Sequence, residues 1–316
     1  MRNALLFRKS VVTLLATATV AVVAACAPAP AASAPAPAPT SAPAAPADWE
    51  SNPDPLERNK GMAVHVLKGL FEDGDLSVAD RYIRPDYIQH NPNAADGTEP
   101  LKDFVRNAAA QSPDLQYNVA RVLAEGDMVL VHGNVVNQPG TRGIALVDMF
   151  RIQDGMIAEH WDILQDVPET TANGNDMFGT VSEPRTNEPG PREQTQASKD
   201  LAVRYFDRLM VEKDPGAVEY LAPEYHQHNP TIPSGSAGLR EMFGAFFEQT
   251  PTLIVERHRV IAEGNIVAIH AHYRLNPEDR GQSVVDIFRV LDGKIVEHWD
   301  VIQAVPETSA NDNTMF

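Results

Sequence analysis

The chain has 316 residues, with 43 acidic and 26 basic side chains, a formal net charge of −17 and a single cysteine. That balance argues against contact with nucleic acid or anionic lipid through a folded surface. One thiol excludes a disulfide within the chain, so any fold must be held by its cores. The length suits two modest domains, and there is no P-loop or dinucleotide-binding glycine motif.

Residues 1–25 begin with the basic side chains Arg2, Arg8 and Lys9, followed by the apolar run Val11–Ala25. That run is shorter than the roughly 20 residues a spanning helix needs. It ends in Val23-Ala24-Ala25-Cys26, which resembles the lipobox of a bacterial lipoprotein signal. The resemblance implies cleavage before Cys26 and lipidation of that residue. An ordinary signal peptide with an incidental cysteine is the alternative. Ala27 follows, with no aspartate to resemble an inner-membrane retention signal, so the expected place is the outer membrane, facing the periplasm. The membrane would then be touched only through the lipid anchor. Residues 26–50 are nearly all Ala, Pro, Ser and Thr, an extended tether in which proline denies the backbone helix and ladder bonds.

The rest of the chain is written twice. "YIQHNPN" at Tyr87–Asn93 returns as "YHQHNPT" at Tyr225–Thr231, and "VDMFRIQDGMIAEHWD" returns as "VDIFRVLDGKIVEHWD". His90 and His228, His132 and His270, Asp148 and Asp286, and His160 and His298 are all 138 residues apart. The copies define one domain at 51–179 and a second at 197–316. The polar, turn-rich stretch 180–196 reads as the linker between them.

Each copy predicts helices first, then strands. A helix opens each near Gly61–Glu72 and Lys199–Glu212, and a second short helix precedes the Tyr-x-Gln-His-Asn-Pro turn. A third covers Glu99–Gln111 or Ala237–Gln249, stopped by Pro113 or Pro251. Strands are predicted at Gln116–Ala124, Met128–Asn134, Gly143–Gln153 and Met156–Leu164, with equivalents in the second copy. Asp154-Gly155 and Asp292-Gly293 mark hairpin turns. This order is an α+β arrangement, and a strongly bent sheet wrapped by helices leaves a concave face for a pocket.

Period-two geometry sets His270 and His272 on one face, Asp286 and Phe288 on one face, and His298 and Asp300 on one face of their strands. Buried charges without partners are costly, so these groups should be paired or line a wet pocket. An aspartate near a histidine can remove a proton next to a carbonyl while a His or Tyr holds the enolate oxygen. The catalytic candidates are therefore Asp286, His272 and His270, with Asp148 and His132 in the first copy. The substrate-binding candidates are His90, His228, Asn134, His160, His298, Asp162, Asp300, Phe150 and Phe288. Each has a plainer reading: His90 and His228 could hydrogen-bond turn backbones, and Asp162 and Asp300 could cap neighbouring strands. Trp161 and Trp299 read as core or pairing residues, and Asn173, Asn175, Asn311 and Asn313 as turn formers. No metal is expected. His228, His270, His272, Asp286 and His298 would suffice as ligands only if they converged, and there is no His-Glu-x-x-His motif.

Together, "YIQHNPN", "DIFRVLDGKIVEHWDVIQ" and the terminal Asn-rich turn resemble the SnoaL-like branch of the NTF2-like superfamily. The resemblance covers both repeats. It implies two cone-shaped α+β folds, each with helices packed on a strongly curved, mainly antiparallel sheet, and pairing of the two domains through their sheets. Polyketide cyclases of the family close rings by aldol chemistry, with an aspartate as acid/base, a histidine nearby and no cofactor. Asp286 matches best, with His272 as its histidine; in the first copy Asn134 replaces that histidine beside Asp148. The expected function is cofactor-free acid/base catalysis on a small carbonyl compound. A ligand-binding lipoprotein without chemistry and a structural pseudo-dimeric module are the alternatives.

Overall fold

The computed structural model describes residues 48–316. Cys26, the signal segment and most of the tether lie outside the described residues.

The first half begins with a 3-10 turn at Asp48–Ser51 and then α1, Pro55–Phe71. Asp54 caps α1 by accepting from Leu56 N at 2.9 Å, and Pro55 stands where a missing N–H costs nothing. Its face of Met62, Ala63, Val66, Leu67 and Leu70 is buried. There follow α2 (Ser77–Tyr82), β1 (Ile83–Gln89), α3 (Thr98–Gln111), β2 (Gln116–Glu125), β3 (Met128–Val136), β4 (Ile144–Gln153) and β5 (Met156–Asp166). The second half repeats this: α4 (Thr195–Phe206) runs into a wider turn at Asp207–Val211. A 3-10 turn at Pro215–Tyr220 then leads to β6 (Leu221–Gln227), α5 (Leu239–Gln249), β7 (Ile254–Glu263), β8 (Ile266–Arg274), β9 (Gln282–Leu291) and β10 (Lys294–Ala304).

Each half forms one five-stranded sheet, ordered β1-β5-β4-β3-β2 and β6-β10-β9-β8-β7. Four strands make an antiparallel meander, and β1 and β6 add parallel to β5 and β10 at one edge. The fold is α+β, two tandem NTF2-like units. The Asp-Gly pairs turn the last hairpins as predicted, with φ of 53° and 75° in the first and 49° and 72° in the second, the left-handed geometry those turns demand. The edge strands were not predicted. They contain Pro85 and Pro223, which an edge position tolerates because one side of the strand needs no N–H donor. The first half of the Tyr-x-Gln-His-Asn-Pro motif is therefore strand, and the turn begins only at the histidine.

Each half has its own core between helices and the concave face of its sheet. A third core draws on the other faces of both sheets, with Leu130, Val147, Met149 and Trp161 meeting Ile261, Ile287, Trp299 and Val301. Contacts across this boundary come in reciprocal pairs. Leu164 N donates to Gln303 Oε1 and Ile302 N to Gln165 Oε1, at 2.9 and 2.8 Å. Arg121 lies 3.8 Å over the Trp299 ring, and Arg259 lies 3.8 Å over that of Trp161.

The connecting stretch is docked. Val181 N and the Ser182 hydroxyl donate to the carboxylate of Glu297, which is fully buried. Gly190 presses so closely on Gly264 (φ 57°) that a Cβ on Gly264 would meet the Gly190 backbone. The helix of the second half begins at Thr195, inside the stretch expected to be linker.

Candidate functional site

The concave face of each sheet carries the same polar constellation. In the second half Asp286 on β9 and Asp300 on β10 are directly paired across the ladder, and His298 stands two residues before Asp300. His298 Nε2 meets Asp286 Oδ1 at 3.0 Å, and the Tyr273 hydroxyl donates to Asp286 Oδ2 at 3.0 Å. His298 Nδ1 faces Gln227 Oε1 at 2.8 Å. That oxygen also accepts the backbone N–H groups of His228 and Asn229, which fixes the amide with its oxygen toward the ring. The imidazole therefore donates from Nδ1, and Nε2 shares its proton with Asp286. Burial works against the charged imidazole, but the bond to Asp286 and the carboxylates of Asp300 and Asp286 outweigh it and raise the His298 pKa. Phe288 stacks on the ring at 5.0 Å.

Asp300 accepts at Oδ2 from Asn229 Nδ2, 2.6 Å away, while its other oxygen, Oδ1, is buried with no partner. Burial, opposed by His298 and reinforced by Asp286, pushes its carboxyl up to about 6. Asp286, His298 and Asp300 sit in the wall of a cavity between helices and sheet. Counting its open mouth, the cavity holds about 670 Å³ of empty space. Tyr205, Phe206, Phe243, Phe246 and Ile302 make the rest of that wall largely apolar.

The first half repeats the network. His160 Nε2 meets Asp148 Oδ1 at 2.8 Å, and its Nδ1 meets Gln89 Oε1 at 3.0 Å. Asn91 Nδ2 donates to Asp162 at 2.6 Å, and Asp162 Oδ1 is again buried without a partner. Burial likewise lifts the Asp162 carboxyl to about 6, and Phe150 stacks on His160 at 4.8 Å. The hydroxyl on Asp148, however, comes from Tyr117 on β2, whereas Tyr273 lies on β8, the counterpart of β3. Val255 occupies the second-half position of Tyr117, and Val135 that of Tyr273; these positions are cross-strand partners in both sheets. Asp148 keeps 3 % of its side chain exposed against 12 % for Asp286.

Asp286, Asp148, His160, His298, Asp162, Asp300, Phe150 and Phe288 thus converge on the concave faces. The other candidates do not. Asp286 pairs with Ile269, not with His270 or His272, so both histidines project from the opposite face of the sheet. His272 donates to the carbonyl of Arg280 at 2.7 Å and stacks on Phe316 at 4.1 Å. His270 takes a hydrogen bond from Arg259 and donates to Ser283 Oγ at 2.8 Å. Its partner His132 takes one from Arg121 and leaves Nε2 without a partner. Burial first, then the neighbouring arginine, holds both rings well below the usual imidazole range. Asn134 donates to the carbonyl of Arg142 at 2.9 Å. His90 and His228 bind Glu159 and Glu297 at 2.8 and 2.7 Å and stack on Trp161 and Trp299, outside the pockets.

Residues the sequence reading passed over complete the site: Tyr117 and Tyr273, and the Gln89–Asn91 and Gln227–Asn229 pairs. The last two were marked in the sequence by their identity in both copies of one motif. As donors for a divalent cation, one oxygen each of Asp286 and Asp300 and one nitrogen of His298 lie within 4.8 Å of one another, as do those of the first-half trio. Glu256, His258 and His272 form a third, more exposed group.

A sequence model of the SnoaL-like domain matches this chain twice, over residues 65–160 and 202–298. The chain belongs to the SnoaL-like family. It is a tandem duplication, with the site residues from Asp148 to His160 and from Asp286 to His298 inside the matched spans. Comparison with proteins of curated function gives no match. Solved structures similar to one SnoaL-like unit include TsrD from Streptomyces laurentii, with 23% identity, 34% of this chain and 89% of that chain covered, and a TM-score of 0.30. IdmH from Streptomyces antibioticus, a candidate polyketide cyclase, shares 22% identity over 34% of this chain and 92% of its own, with a TM-score of 0.30. A candidate ketosteroid isomerase from Kribbella flavida shares 22% over 36% and 83%, with a TM-score of 0.31.

Proposed function

We propose that the second half is a cofactor-free acid/base site acting on a small, partly apolar carbonyl compound, in an aldol, cyclase or isomerase type of reaction. The observation that carries the reading is the Asp286–His298–Asp300 constellation in the wall of an apolar cavity. In this reading Asp286 is the base. It takes a proton from the carbon next to the carbonyl and holds it for return to the enolate, while His298, fixed by its Nδ1–H to Gln227, orients the carboxylate by donating from Nε2. Asp300, with a carboxyl pushed up to about 6, is partly protonated near neutral pH, and its unpartnered Oδ1 can donate to the developing enolate oxygen. The aromatic wall of Tyr205, Phe243 and Phe288 suits a planar or polycyclic carbon skeleton. The same reading has the two halves pair within one chain, supported by their shared core, with an anchor through Cys26 holding them at a periplasmic membrane face.

The test is exchange of α-protons for deuterium, followed by NMR over a panel of cyclic ketones and β-diketones. Wild-type protein should exchange at least one compound class, and Asp286→Asn should abolish exchange while leaving the affinity for that compound nearly intact. Binding without exchange in either protein would replace catalysis with ligand carriage. Exchange that survives in Asp286→Asn would remove the assigned base.

A further inference from the structure

The Asn-rich tails that follow β5 and β10 are exchanged between the halves. After β5 the chain leaves its own sheet and lies along the turn of the other half. Ala172 N donates to Pro230 O at 2.7 Å, and Asn173 Nδ2 donates to the carbonyls of Asn229 and Ile232 at 2.6 and 2.9 Å. Asn175 Nδ2 donates to Gln227 O at 3.0 Å. The second tail answers in kind. Ala310 N reaches Pro92 O at 2.7 Å, Asn311 reaches the carbonyls of Asn91 and Ala94 at 2.8 and 2.7 Å, and Asn313 reaches Gln89 O at 2.9 Å.

Among the residues whose carbonyls are taken are two in each half whose side chains build the site. Gln227 orients the His298 ring, and Asn229 holds Asp300. Both side chains hang from a strand end and turn whose carbonyls the incoming amides bind; the Asn229 carbonyl, which already accepts Ile232 N at 3.2 Å, takes the Asn173 amide as a second donor. Asn173 also closes its own turn, since its Oδ1 accepts Asn175 N at 2.9 Å, so the turn-forming and clamping roles coexist.

We infer that Asn173 and Asn175 of the first half are positioning residues for the second-half site, and that Asn311 and Asn313 serve the first-half site in the same way. The site of each half is thereby completed by the tail of the other. This rests on the acid/base reading only for its catalytic consequence; the geometric claim stands apart from it.

Asn→Asp changes keep the shape and the acceptor that closes the tail's own turn while removing the amide donors. In full chain carrying N173D/N175D, histidine side-chain NMR should show the His298 titration moving toward the ordinary imidazole range by about one pH unit. His160 should keep its wild-type titration. The N311D/N313D chain should show the converse, His160 moved and His298 unchanged. If the N173D/N175D chain does not fold, Asn175→Asp alone, which keeps the Asn173 clamp, should give the same direction with smaller size. An unmoved His298, or His160 and His298 moving equally in either variant, overturns the inference, because a general loosening of the fold has no reason to respect the crossing. The second measurement is α-proton exchange, expected to fall roughly ten- to hundredfold in N173D/N175D through misplacement of the dyad. Absence of exchange in wild type would count against the functional reading alone, since the titrations need no turnover.

Discussion

The two halves use one polar network and deliver part of it by different routes. In the first, the hydroxyl on the central aspartate comes from Tyr117 on β2; in the second it comes from Tyr273 on β8, and valine fills the vacated place each time. Because the two positions face each other across adjacent strands, exchanging Tyr and Val preserves the contact while moving the ring. What persists is therefore the hydroxyl-to-carboxylate bond, not the residue number. The route still matters, since the Asp286 side chain keeps a window on a cavity while Asp148 is almost sealed. The two copies of one network thus differ in how far their central aspartate opens to a cavity.

That contrast is most sharply broken by removing each aspartate. Asp286→Asn should lower α-proton exchange by about 100-fold or more, as loss of a general base does, whereas Asp148→Asn should leave it within a factor of two. Comparable losses in both would mean that both pockets work. Next, Tyr273→Val combined with Val255→Tyr should rebuild the second half in the pattern of the first. Exchange should fall roughly tenfold or more as Asp286 loses solvent contact, and a crystal structure should show the Val255→Tyr hydroxyl on Asp286. Retained activity would detach the open window from function.

A smaller effect concerns pH. The Asp300 carboxyl titrates near 6 in the folded protein against an ordinary value of 3.8. Between those values the folded state binds the extra proton, so stability falls as pH rises from about 4 to 6 and is level above. Asp300→Asn should therefore gain stability relative to wild type across that window, by at most about 3 kcal/mol, and show little difference at pH 4. Calorimetric melting at several pH values measures this, and a difference constant with pH would deny the raised carboxyl. His298 adds the opposite kind of group with the same direction of effect, since its raised pKa stabilises below the ordinary value and that contribution is lost as pH climbs through the folded one. The smallest effect is expected on the other face of the sheet. His270 Nε2 finds Ser283, but the matching His132 Nε2 finds nothing because Ala145 stands there. Ala145→Ser should supply the missing acceptor and raise stability by about 1 kcal/mol, a shift of a few degrees in Tm.

Much of this fold was legible because the repeat gave most elements two witnesses and period-two geometry sorted the faces of β8, β9 and β10. The edge strands escaped because Arg84-Pro85-Asp86 reads as a loop, and only partnership with β5 makes it a strand. Asp286, His298 and Asp300 were legible as polar groups on apolar strands. His270 and His272 were not, because alternation tells which residues share a face of one strand but not which face turns toward the next strand's aspartate. That depends on register, and here Asp286 stands opposite Ile269. The tail exchange left a trace in the matched asparagines, but its partners lie more than 50 residues away in one case and more than 200 in the other.

The crossed tails also change how the halves depend on each other in solution. Carried on one chain, each clamp meets its turn at an effective concentration on the order of millimolar, fixed by tether length and not by how much protein is present. The same clamps offered by separate copies would come and go with dilution. Fusion of the two units therefore makes the geometry of each pocket independent of protein abundance.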